Sequence, residues 1–148
     1  MTSESGFTVV VGIDGSSNSR AALDWAFEEA SLRGGGTVTA VMAWTYAPTA
    51  AAGYGMGGFL PPADSMQAAS EAALENVLEG VVPPAGVSFK QVVGEGAPSQ
   101  LLIELSADAN MIVVGKRGHG GFLGLLIGSV ATQVANHATC PVVIVPSE

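Results

Sequence analysis

Hydrophobic residues along this chain fall into two alternating rhythms. Phe7 to Ile13 carries the run Val9-Val10-Val11, and Met111 to Gly115 carries Ile112-Val113-Val114. Short apolar runs without polar alternation mark strands covered on both faces, as in a parallel sheet. Thr37 to Trp44 and Val142 to Val145 read as two further strands. Val87 to Val93 reads as another, but Ser88, Lys90 and Gln91 dilute it, which places it at a sheet edge.

Between these runs the apolar period becomes helical. Leu23, Phe27 and Ala30 recur behind Ser16-Ser17-Asn18, a cluster suited to capping a helix N-terminus. Met66, Ala69, Ala73 and Val77 repeat the pattern after Asp64-Ser65. A third helix opens at Ala97-Pro98-Ser99, with Leu101, Leu102 and Leu105 as its apolar face. Pro98 falls in the first turn, where a missing N–H does no harm. A fourth helix begins near Gly128-Ser129, turns Val130 and Val134 inward and carries His137 in its last turn, before Pro141. Strands alternating with helices predict one α/β domain over residues 1–148, with right-handed crossovers.

One stretch breaks the pattern. Pro48 to Pro62 is rich in Ala, Gly and Pro, with Tyr54 and Phe59 inside it. It contains Gly53-x-Gly55-x-x-Gly58, formally a dinucleotide fingerprint. Such a fingerprint follows a strand directly and opens a helix. Here Pro48 precedes it and Pro61-Pro62 follow, so residues 47–63 read as a flexible loop.

Composition narrows the function. The 148 residues are 48% hydrophobic and 12% charged, about half the usual charged share of roughly 25%, which suits a sheet buried on both faces. Five Lys+Arg against 13 Asp+Glu give a net charge of −8. Nucleic-acid backbones and anionic membranes need clustered bases and are disfavoured. The longest apolar run, Phe122 to Ile127, is interrupted by Gly124 and is far too short to span a bilayer. Met1 to Gly6 lacks the features of a secretory signal. The single cysteine, Cys140, forms no internal disulfide and is expected to act as a small buried hydrophobe. A cytoplasmic location is the simplest expectation.

The chemistry concentrates after the fourth strand, in Gly115-Lys116-Arg117-Gly118-His119-Gly120-Gly121 and on to Gly128-Ser129. Its glycines let the backbone turn sharply and approach a ligand, and successive free N–H groups form an anion-binding concavity. Gly128-Ser129 opens the fourth helix, whose unpaired N–H groups and positive dipole end suit phosphate. The Walker pattern is absent. A second element, Gly12-Ile13-Asp14-Gly15-Ser16, follows the first strand. Asp14 is either a helix cap or a ligand-facing carboxylate. In open α/β sheets, ligands bind at the carboxyl ends of strands where the order reverses. In the order 3-2-1-4-5, Asp14 and the Gly115 loop face one crevice there. Arg117 is a phosphate candidate, whereas His119 reads as a solvated loop residue.

These segments resemble the universal stress protein family. The likeness rests on Val9 through Ser16, on Gly115-x2-Gly118-x9-Gly128-Ser129, and on His137-Ala138-Thr139-Cys140-Pro141-Val142. The glycine spacing is similar to the family's ATP-binding signature. The resemblance implies an open five-stranded parallel sheet of order 3-2-1-4-5, a homodimer, and a nucleotide-dependent role in stress or dormancy. It also implies ATP with Mg²⁺ as cofactors. By position, Gly115, Arg117 and Gly118 would contact ribose and phosphates. Gly128, Ser129 and Val130 would cradle phosphates through main-chain N–H groups and the Ser129 hydroxyl. Asp14 would sit near the adenosine end or a nucleotide-bound Mg²⁺. Val41, at the end of the second strand, would meet adenine through its backbone, and Gly12 would allow close approach. Lys116 reinforces phosphate binding or points to solvent, and Tyr54 and Phe59 are candidates to cover the adenine.

Val142 to Val145 is an edge strand in this order and carries neither charge nor Pro. A bare apolar edge invites pairing, so the expected homodimer forms through it. Two other readings stay open: a dimeric interaction protein that binds no nucleotide, and a slow ATPase or phosphotransferase. No residue in the sequence is placed as a general base for water attack, so any hydrolysis is expected to be slow.

Overall fold

Five apolar runs form one parallel sheet, β1 (Thr8–Gly12), β2 (Gly36–Trp44), β3 (Val87–Glu95), β4 (Met111–Gly115) and β5 (Val142–Val145). The structure, a computed structural model, describes residues 6–46, 61–117 and 127–146. The strand order is β3-β2-β1-β4-β5, as expected, with β3 and β5 at the edges. The helices are α1 (Ser17–Leu32), α2 (Ala63–Val77), α3 (Pro98–Leu105) and α4 (Ser129–His137), and a 3-10 turn at Ser106–Asp108 extends α3. Pro48, Tyr54, Phe59, Gly118 and His119 lie outside the described residues.

Two cores explain the unbroken apolar runs. Val9 and Val11 of β1 pack on one side of the sheet with Val38, Val113, Leu23, Phe27 and Leu74. Val10 packs on the other side with Val41, Ile112, Leu102 and Val134. Successive strand residues point to opposite faces, so a strand with a core on each side needs apolar residues at every position. Helices α1 and α2 cover the first face, and α3 and α4 the second. Trp25 is half-buried against the first core.

Helix α2 departs from its expected pattern. It starts at Ala63 with Pro62 as N-cap, so Asp64 lies in the first turn instead of capping it. Ala69 and Ala73 are exposed, and Leu74 is the helix residue that is buried. The helix lies over the β2–β3 side of the sheet, where a narrow stripe of Leu74, Val77 and Leu78 suffices. Alanine is at home on a helix surface because its propensity is high, so it marks a face poorly. Trp44 and Gln67 join the end of β2 to this helix through an Nε1–H to Oε1 bond of 2.6 Å. Gln67 also donates to the Val93 carbonyl at 2.9 Å.

The return to β5 is fixed by Ser106. Its buried hydroxyl donates to the Ile103 carbonyl at 2.6 Å and accepts from the Thr139 N–H at 3.1 Å. Cys140 is half-buried on the second core, and desolvation pushes its thiol above the usual range. It is therefore predominantly protonated at neutral pH. Alkylation by iodoacetamide at pH 8 is expected to run slower than for a free cysteine; an equal or faster rate contradicts this placement.

Leu74→Ala should cost about 2–5 kcal/mol of stability in urea unfolding. Ala73→Gln should change it by less than about 0.5 kcal/mol. The reverse ranking would restore the alanine face.

Candidate functional site

Three chain segments converge where the strand order reverses. Helix α1 enters from the end of β1, a loop leaves the end of β4, and α4 begins. The turn into α1 is closed by its own side chains. Asp14 Oδ1 accepts from the Ser16 N–H at 2.9 Å and from the Ser16 hydroxyl at 2.6 Å. Ser16 is the N-cap, and its Oγ accepts from the Ser19 N–H at 3.1 Å. Buried Ser19 donates to the Ser16 carbonyl at 3.0 Å and accepts from the Asp14 N–H at 3.3 Å. Gly15, at φ +86°, lets the chain double back in this turn. Asp14 thus supports the capping residue instead of capping the helix itself. Its side chain is exposed at the carboxyl end of β1.

The end of β4 is locked from both sides. The Lys116 N–H donates to the Val145 carbonyl at 2.8 Å, and the Lys116 carbonyl accepts from the Gly128 N–H at 2.7 Å. This second bond joins the two ends of the glycine-rich loop and brings Gly128-Ser129 beside Arg117. The Arg117 N–H donates to Asn18 Oδ1 at 3.3 Å, across 99 residues of sequence. A Cβ on Gly115 would stand 2.6 Å from Asn18 Cβ, 2.7 Å from its carbonyl carbon and 2.8 Å from its oxygen. Gly115 is therefore glycine because the first turn of α1 passes against it.

Several expected contacts take a different form. Gly128 was expected to offer its N–H to phosphate, yet that N–H is donated to Lys116. The Arg117 N–H is likewise engaged, which leaves the exposed Arg117 guanidinium as the group available to an anion. Val41 lies inside β2 and not at its end; its side chain is buried and its carbonyl accepts from the Ile13 N–H at 2.8 Å. Beside Gly12, a Cβ would meet Leu102 Cδ1 at 3.0 Å, so its open side is filled by a leucine tip. Asn18 is the site residue that the sequence left as one member of a capping cluster. Its signal was the strand-ending glycine facing a helix start.

What remains open is the start of α4. Gly128 is the N-cap and has no side chain to satisfy the first N–H groups, in contrast to Ser16 on α1. Ser129, Val130 and Ala131 precede the first helical bond, which runs from the Thr132 N–H to the Gly128 carbonyl at 3.0 Å. Those three N–H groups have no acceptor among the described residues. Helices α2 and α3 also lack side-chain caps, so the location of α4 at the sheet reversal sets it apart. Two of the five basic residues, Lys116 and Arg117, stand next to it in a chain of net charge −8. A cavity of about 480 Å³ between α2 and β3 is lined by Glu71 and Glu75, two carboxylates that repel phosphate. It does not compete for an anion.

The start of α4 and the end of β1 thus lie where the strand order of a parallel α/β sheet reverses, the place where open α/β folds hold their ligands. The chain belongs to the universal stress protein family, whose model matches residues 7–146. It is 36% identical over 136 residues to a universal stress protein of Mycobacterium tuberculosis, covering 92% of this chain and 44% of that one. A Mycolicibacterium smegmatis universal stress protein is 35% identical over 147 residues, with 96% and 46% covered. The chain thus spans about half the length of the curated relatives it matches.

The universal stress protein UspA of Lactobacillus plantarum shares the fold at a TM-score of 0.73 and 19% identity, over 97% of this chain and 99% of that one. A universal stress protein in complex with cAMP is 26% identical at a TM-score of 0.59, with 96% and 98% covered. One from Archaeoglobus fulgidus in complex with dAMP is 22% identical at 0.55, with 93% and 96% covered.

Gly115→Ala should destabilise the fold by about 1–3 kcal/mol through overpacking. Adding Asn18→Gly should not restore it, because two of the three close atoms belong to the Asn18 backbone. Recovery of the melting temperature in the double variant would contradict this packing.

Proposed function

We propose that this chain is an ATP-binding regulatory module that acts in a stress or dormancy response. The observation that carries this reading is the uncapped start of α4 at the sheet reversal, with Arg117 beside it. Polyphosphate is the guest this arrangement suits: three N–H groups and a helix dipole on one side, a guanidinium on the other. Similar proteins in complex with cAMP and dAMP support an adenine nucleotide.

The phosphates lie on the Ser129 and Val130 N–H groups and the Ser129 hydroxyl, with Arg117 as the side-chain cation. Gly128 contributes by lacking a cap side chain, Gly115 by admitting the first turn of α1, and Gly118 remains a proposed phosphate contact. Adenosine would lie on the β1–β2 side, where Asp14 is exposed and Gly12 and Val41 stand behind it in the two strands. Mg²⁺ fits this scheme only as a phosphate-held ion. Among the described residues no group of three or more His, Cys, Asp or Glu can hold a metal. Mg²⁺ commonly relies on one carboxylate plus substrate phosphates, and Asp14 is the carboxylate in place. The ion would neutralise phosphate charge against the acidic chain.

The chain acts in the cytoplasm as a homodimer through β5. All four residues of that edge strand, Val142 to Val145, are only half-buried, and none is charged. Pairing with a two-fold mate would cover the edge.

Isothermal titration with ATP and Mg²⁺ should give binding, and Ser129→Pro should weaken it about 100-fold or more by removing one N–H and one hydroxyl donor to a charged group. The helix tolerates Pro at its first position, and Gly128, at φ −69° and ψ 167°, already has the conformation that precedes proline. No heat of binding in the wild type, or full affinity in this variant with an unchanged circular dichroism spectrum, would overturn the assignment. Sedimentation at micromolar concentration should give a dimer, and Ile144→Asp a monomer; a monomeric wild type would rule out the β5 interface.

A further inference from the structure

Asn18 lies on α1, yet its contacts belong to the end of β4. Its Oδ1 accepts the Arg117 N–H at 3.3 Å. Its backbone occupies the space a Gly115 side chain would need. The next residue, Lys116, is fixed on its other side to Val145 and Gly128. Arg117 therefore follows a residue held on both sides, and its own N–H is held from α1. Nothing in helix formation requires this, since α1 is already capped by Ser16.

We propose that Asn18 is a positioning residue for the anion site: it holds the Arg117 backbone so that the guanidinium starts from a fixed point facing the open end of α4. The signature glycine Gly115 is what lets it do so. An anion at Ser129 meets an Arg117 whose backbone is already ordered, and loses less on binding. The same contact ties the Asp14–Ser16 turn to the phosphate side, because Asn18, in the first turn of α1, follows directly on that turn and reaches Arg117 at the end of β4. The inference rests on the nucleotide reading above.

The test combines hydrogen exchange at the Arg117 amide, followed by NMR without nucleotide, with ATP–Mg²⁺ calorimetry on the same samples. Asn18→Ala should speed Arg117 exchange about fivefold or more and weaken ATP binding about fivefold, the size of one lost hydrogen bond. Its melting temperature should change little, because the higher helix propensity of alanine offsets the lost hydrogen bond. Asn18→Asp keeps an acceptor in place and should retain slow exchange. Unchanged Arg117 exchange in Asn18→Ala would overturn the proposal. So would faster exchange with unaltered ATP affinity. A wild type that binds no ATP defeats the nucleotide reading and with it the positioning role, whereas the exchange rates still report whether the Asn18–Arg117 link exists.

Discussion

Where β4 ends, the backbone of Asn18 comes within 2.8 Å of the point a Gly115 Cβ would occupy. This close approach governs the end of the molecule where the strand order reverses. It sets the depth at which α1 sits on the sheet, and so where the Asp14–Ser16 turn emerges. It also places the Arg117 N–H within reach of Asn18. From there the Lys116 carbonyl reaches the Gly128 N–H and starts α4 beside the same point. Three segments far apart in sequence are thereby tied at one place by a missing methyl group and two hydrogen bonds.

The consequence is a division of labour among backbone donors. Those at Lys116, Arg117 and Gly128 hold the scaffold together. Those at Ser129, Val130 and Ala131 have no acceptor among the described residues. An acidic chain cannot attract a phosphate by its overall field. Under the proposed nucleotide reading, it would rely on donors a few ångströms away, fixed before the ligand arrives, and on Arg117. A preordered site spares part of the entropy cost of binding.

Much of the fold was legible because its signals are local. Val9-Val10-Val11 and Ile112-Val113-Val114 read as doubly covered strands, and both strands are buried on both faces. Diluted β3 sits at an edge, as Lys90 and Gln91 suggested. Helix α2 was misread because Ala69 and Ala73 say little about which side faces inward, while Leu74 does the packing. That Gly115 ends β4 and that Gly128-Ser129 open α4 were legible from the sequence. Which N–H groups were already engaged was not, since the partner of Arg117 lies 99 residues away. Asp14 shows the same limit: its two bonds to Ser16 come from a turn geometry that residue type alone does not reveal.

The central claim concerns which backbone groups meet the ligand, and amide chemical shifts read that residue by residue. In a ¹⁵N-labelled sample titrated with ATP and Mg²⁺, the account predicts the largest downfield shifts at the Ser129 and Val130 amides. The Gly128 amide, already donated to Lys116, should move least among these neighbours. Shifts centred instead on Glu71, Glu75 and Gln91, or a Gly128 amide that moves more than Ser129, would contradict it.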